Sequence, residues 1–225
     1  MTKSRKFIAF ATIVFLFISG SCTLYAQDDA DNQDIFNDHL FLAGIVVGAN
    51  FNQVDGDYFA GYNKIGANIG GAAYLRLPKH KALSMEILYS QKGAQSTINR
   101  GAGKDTLVRI TDYGITLNYA EVPIMLNVFD KNSSHAGLGL SYARLISYKE
   151  TLTTEPANLV NLNDFPFKKS DLSIVASGSL KVWKGLYLNV KFQYSLTPIR
   201  TEIPQYYARS SQYNNTWTCR LMYLF

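Results

Sequence analysis

Six ionisable residues stand at strand-like spacing with an apolar residue on each side: Arg76, Glu86, Glu121, Lys181, Lys191 and Arg220. Carboxylates and cations brought together could work as general acid and base, hold a charged ligand, line an ion path or brace a polar interior. In an extended chain successive side chains point to opposite faces, so each of these six opposes an apolar face. Other chemistry has little support. The histidines, His39, His80 and His135, are far apart, and no nucleophile, base and orienting acid converge. Gly101-Ala102-Gly103-Lys104 resembles a phosphate loop, but Ile98 occupies the position of the first glycine. No metal-ligand cluster or cofactor motif is evident. Asn132-Ser133-Ser134 and Asn214-Asn215-Thr216 match glycosylation acceptors, a three-residue pattern too short to carry a functional reading. The sequence therefore predicts a structural charge network and no catalytic, cofactor or metal site.

The elements that must position these residues follow from period-two alternation. Leu186, Leu188, Val190, Phe192, Tyr194 and Leu196 fall on one face, and Tyr187, Asn189, Lys191, Gln193 and Ser195 on the other. Trp217, Cys219, Leu221, Tyr223 and Phe225 repeat the pattern, alternating with Thr218, Arg220, Met222 and Leu224. Six more strands are predicted near Leu42–Asn52, Lys64–Leu77, Leu83–Lys92, Tyr113–Val128, His135–Lys149 and Asp171–Val182. Short connections at 78–81, 130–134 and 183–185 alternate with long ones at 53–63, 95–112, 150–170 and 198–212. Outer-membrane barrels have short periplasmic turns and long extracellular loops. The expected fold is all-β: a closed antiparallel transmembrane β-barrel of about eight strands, an up-and-down meander over residues 42–225.

The N-terminus reads as an export signal. Lys3, Arg5 and Lys6 precede the apolar run Phe7–Ile18, broken only by Thr12, and small and polar residues lead to Ala26. The predicted signal peptide is 1–26, followed by a flexible acidic periplasmic lead-in at 27–41. Cleavage after Ala26 removes three basic residues and no acidic one, taking the formal charge from +5 to +2, so the basic balance does not argue for nucleic acid. Cys22 offers a lipidation alternative, although Ser19-Gly20-Ser21 lacks the usual large aliphatic residue. Cys219 would then be the one cysteine left, without a disulfide partner.

Alternation alone does not say which face meets lipid, and a soluble lipocalin-like ligand-binding barrel would hide the apolar one. Three features favour lipid. Tyr223-Leu224-Phe225 ends the last strand, Tyr89, Phe129, Tyr148, Tyr194 and Trp217 suit interfacial girdles, and the polar face combines Gly44, Gly48, Gly66, Gly70, Gly137 and Gly139 with scattered charge. Lys92 joins the interior charges. Glu86 and Glu121 are expected to pair across the lumen with some of Lys181, Lys191 and Arg220, because an isolated buried charge is costly. Arg144 falls on the lipid face, at the outer interface or beside a register-shifting bulge. Glu121 precedes Pro123, which cannot donate to a ladder, so a bulge or widened ladder is expected there.

The segments GIVVGANFNQVDGD, GYNKIGANIGGAAYLRL, LSMEILYSQKGA and NYAEVPIMLNVF resemble the PorT-like outer-membrane β-barrel family, also described as porin-family proteins. That resemblance implies a cleaved signal, an eight-stranded type of barrel, residence in the outer membrane of a Gram-negative cell and no catalytic residues. It associates the family's founding member with secretion of proteins across the outer membrane. The expected partners are outer-membrane lipid, the barrel-assembly machinery acting on the strand that ends at Phe225, and an unnamed envelope protein. A non-enzymatic anchor or scaffold, accessory to secretion or surface assembly, is the leading expectation. A narrow passive pore for small solutes is the alternative.

Overall fold

A computed structural model describes residues 39–57, 61–96, 100–101, 109–155, 165–201 and 208–225. The predicted signal peptide, most of the lead-in and Cys22 lie outside the described residues. Eight long strands form the wall: β1 Phe41–Asp57, β2 Lys64–Leu77, β3 Lys81–Ser96, β4 Arg109–Phe129, β5 His135–Glu155, β6 Ser170–Trp183, β7 Leu186–Ser195 and β8 Ala208–Leu224. Each pairs antiparallel with its sequence neighbour, and β1 pairs with β8, so the sheet closes into an eight-stranded meander. A two-residue rung, Arg100–Gly101, adds to the open end of β4. Among the described residues there is no helix.

The strands run further than the alternation suggested. β1 starts at Phe41, one residue ahead of the expected boundary, and β4 and β5 are each 21 residues long. The extra length is at the end with the long connections, where the outward residues become polar while pairing continues. Gly114, Thr116 and Asn118 on β4 are followed toward the short-turn end by Ala120, Val122, Ile124, Leu126 and Val128. A lipid-facing alternation therefore ends before the ladder does.

The apolar face is outside. Ile45, Ile87, Leu138 and Leu180 are each at least 60% exposed, whereas Asn50, Glu86, Glu121 and Lys191 are fully buried. This is the inverse of a lipocalin-type barrel. From Trp217 to Phe225 the belt rises about 20 Å, taking ~3.3 Å per residue and a tilt of ~40°, close to the height of an outer-membrane apolar band. Tyr89, Tyr194 and Trp217 stand outward near its upper edge. Phe129 and Tyr148, expected in the girdles, do not. Phe129 shares the inward parity of Glu121 and stacks on His135, with ring centroids 4.4 Å apart. Tyr148 lies beyond a bulge and packs edge-on against Phe167.

That bulge inserts Ile146 between the pairs Tyr119–Leu145 and Asn118–Ser147, so inward positions on β5 change from odd to even numbers above it. Arg144, just below, is exposed on the outer wall. At Pro123 the register holds but the β3–β4 ladder opens: Met85–Ile124 and Leu88–Glu121 are paired, and the two rungs between them are not. The wall on the other side stays paired, with Pro123 opposite Ser141. The short turns need unusual backbone. Lys79 and His80 both have positive φ, and Gly185, at φ 68°, faces the Leu224 carbonyl where a Cβ would collide.

Candidate functional site: the charged barrel interior

The centre of the barrel holds three carboxylates and three cations. Glu86 on β3 receives the Arg220 guanidinium in a two-pronged pair, Nη1 to Oε2 at 2.8 Å and Nη2 to Oε1 at 2.5 Å. Arg220 Nε also donates to Asn189 Oδ1 at 2.7 Å. Lys191 on β7 lies between Glu86 and Glu121, at 3.6 and 3.8 Å, too far for a direct hydrogen bond to either. Lys92 on β3 lies 3.0 Å from Glu121 and 3.8 Å from Asp171. Ser141 donates to Glu121 at 3.0 Å, and Asn214 to Asp171 at 2.9 Å. All six charged side chains in these pairs are buried from solvent. Equal numbers of opposite charges make the layer formally neutral, which limits the cost of burying it.

Local packing explains how the largest of these groups fits. Gly48 is directly paired with Arg220 across the β1–β8 seam, and a Cβ there would collide with Arg220 Cβ and the Cys219 carbonyl. The glycine on the inner wall thus gives the guanidinium room to cross toward β3. Amides and hydroxyls line the same seam: Thr218 donates to Asn50 at 2.8 Å, and Thr216 to Asn52 at 3.0 Å.

Apolar layers close the charged layer at both ends. Toward the short turns, Leu42, Val46, Tyr74, Tyr187, Met222 and Leu224 form a buried cluster, where the Tyr74 hydroxyl meets His135 Nε2 at 3.3 Å. Toward the long loops, Val54, Tyr113, Ile115, Leu117, Phe167 and Ile199 form another. Above it, Arg200 lies 3.7 Å over the Phe167 ring and pairs with Glu150.

Four of the six residues singled out from the sequence, Glu86, Glu121, Lys191 and Arg220, meet in this centre. Arg76 and Lys181 do not. They are half-buried at the short-turn ends of β2 and β6, within reach of solvent, and the central ion pairs are made without them. Lys92 and Asp171 complete the set. Asp171 was read as a strand boundary, although its parity with Ser173 and Val175 already marks it as inward. Glu150 and Arg200 fell in stretches read as loops. Among the described residues no group of His, Cys, Asp and Glu is placed to hold a metal ion.

The arrangement can be set beside known proteins. Among solved structures, the fold is similar to Ail, the attachment invasion locus protein of Yersinia pestis, at 12% identity and a TM-score of 0.44, covering 82% of this chain and 98% of that one. It is similar to Neisserial surface protein A at 8% identity and a TM-score of 0.42, with 82% and 97% covered. It is also similar to OprG of Pseudomonas aeruginosa at 8% identity and a TM-score of 0.41, with 82% and 95% covered. No curated protein matches the chain. A family profile described as outer membrane protein beta-barrel domain matches residues 25–200, well over half of the sequence. With eight closed strands, an apolar outer belt and a polar packed interior, the chain belongs to the outer membrane protein beta-barrel domain family.

Proposed function

We propose that the protein is a non-enzymatic, non-conducting anchor or scaffold of the outer membrane whose working part is its long-loop end. The observation that supports this most is the filled lumen: a neutral six-residue ionic layer between two buried apolar clusters. Small barrels of this size are ordinarily filled by side chains. The β4–β5 ladder also continues to Arg109–Glu155, well beyond Arg144–Ser170, the last β5–β6 pair. A ribbon that projects past the wall suits contact with an envelope partner.

In this reading a signal peptide ending near Ala26 directs export, the acidic lead-in expected at 27–41 lies on the periplasmic side, and the strand ending at Phe225 engages the barrel-assembly machinery. The charge network braces the interior. A role accessory to secretion or surface assembly follows from the PorT-like resemblance. Planar-bilayer recording of the folded barrel is the test: silence is expected, and reproducible open single channels would replace the anchor with a small-solute pore. Affinity capture from the native membrane would identify the partner.

A further inference from the structure

On the outer wall of β3, β4 and β5, cross-strand register sets side chains in rows. Ascending from the belt, the rows are Ile87–Val122–Tyr142, Tyr89–Ala120–Arg144, Gln91–Asn118–Ser147, Gly93–Thr116–Lys149 and Gln95–Gly114–Thr151. The character changes abruptly at Arg144. Below it the rows are apolar. Above it they carry amides, hydroxyls and one lysine. The first polar row is already ordered. Tyr89 and Gln91 donate to Asn118 Oδ1 at 2.9 and 3.0 Å, and Asn118 donates to Ser147 at 2.9 Å.

One glycine opens a depression at the upper rows: Gly114 faces open space, with nothing within 4 Å of where its Cβ would be. The resulting hollow is about 200 Å³ and is lined by Gln95, Thr116, Lys149, Thr151 and, from flanking segments, Lys64 and Asp112. Among the described residues neither Arg144 nor Lys149 is ion-paired. On the opposite wall Asp55 accepts from Asn215 at 3.1 Å.

We propose that this face binds a phosphorylated glycolipid of the outer leaflet. Its acyl chains lie on Ile87, Val122 and Tyr142, its phosphate between Arg144 and Lys149, and its sugars against the amide row and the glycine hollow. Height selects the ligand class. The interfacial layer adds about 5–8 Å beyond the hydrocarbon on each side. Each row rises roughly 5 Å at the usual strand tilt. Arg144 and Asn118 therefore stand at phosphate depth, while Lys149 and the hollow stand above it, where a sugar headgroup reaches and a simple phosphodiester ends. Asp112, at the top of the hollow, accepts from sugar hydroxyls.

The proposal rests on outer-membrane residence, and the test separates the two. Full-length protein is reconstituted in phosphatidylcholine nanodiscs containing diphosphorylated lipid A, dephosphorylated lipid A or phosphatidylglycerol, and retained lipid is counted by native mass spectrometry. Heat-modifiable gel mobility reports folding independently, and its absence would count against the barrel reading itself. For folded protein, retention of the diphosphorylated glycolipid should exceed that of the dephosphorylated form by roughly thirtyfold, the scale of two cations at a membrane surface, and should exceed that of phosphatidylglycerol as well. Arg144→Ala with Lys149→Ala should abolish the preference for phosphate. Gly114→Gln, which fills the hollow without changing charge, should abolish the preference over phosphatidylglycerol. Equal retention of all three lipids, equal retention of phosphatidylglycerol and lipid A, or wild-type behaviour of both variants would each overturn the proposal.

Discussion

Arg220 and Glu86 meet across the lumen, from β8 to β3, through two parallel hydrogen bonds of 2.8 and 2.5 Å. They are 134 residues apart in sequence, and both side chains are buried from water. Paired charges in such a place are tolerated because each satisfies the other, and breaking the pair exposes the full desolvation cost of the survivor.

Glu86→Ala should therefore lower the stability of the refolded barrel by about 3–5 kcal/mol. Lys191 loses a neighbour as well, so the effect should fall toward the upper end. Glu86→Gln with Arg220→Met should cost less than the sum of the two single changes. Urea unfolding of all four proteins measures this coupling. Strict additivity would mean that the pair contributes nothing as a pair.

Glu121→Ala removes the acid that Lys92 approaches at 3.0 Å and Lys191 at 3.8 Å. The expected loss is again about 3–5 kcal/mol, and less if water fills the space. An unchanged urea midpoint would remove Glu121 from the bracing role and point instead to a ligand cation.

Gly48→Ala should be destabilising, although alanine normally suits a strand better than glycine. The added methyl collides with the backbone and side chain of β8 at Arg220. A cost of roughly 1–3 kcal/mol is typical of such overpacking. If Arg220→Gly is introduced first, the Cβ that the new methyl meets is gone and part of that cost should disappear, while the contact with the Cys219 carbonyl remains; a double-mutant cycle in urea reads the difference.

Leu140→Arg tests the outer face. Leu140 is 51% exposed, near the middle of the belt on β5. In lipid the substitution should cost about 2–4 kcal/mol, the penalty for arginine at the bilayer midplane of a barrel. A negligible effect on unfolding from lipid vesicles would mean that this face is not in hydrocarbon.

Much of this protein could be read directly from its residues. Strict alternation in stretches such as Leu186–Leu196 determined the strands and the face of each side chain, because an extended backbone leaves a side chain no third direction. Long and short connections determined the meander. An apolar neighbour on each side of Glu86, Glu121, Lys191 and Arg220 placed all four on the inner wall. The tertiary structure decided the rest. Alternation carries no information on height in the barrel, so it could not separate Arg76 and Lys181, at the solvent-reached ends, from the four that meet at the centre. Neither could it show Asp171 as a partner of Lys92, which depends on where β6 lies relative to β3 across the lumen. Arg144 on the apolar face allowed a bulge nearby, but only the structure placed it at Ile146, where it changes parity, so that Tyr148 left the expected girdle and Glu150 turned inward to Arg200. Strand length beyond the belt was hidden for a related reason: backbone pairing continues above the membrane after the lipid that imposes the apolar pattern has ended.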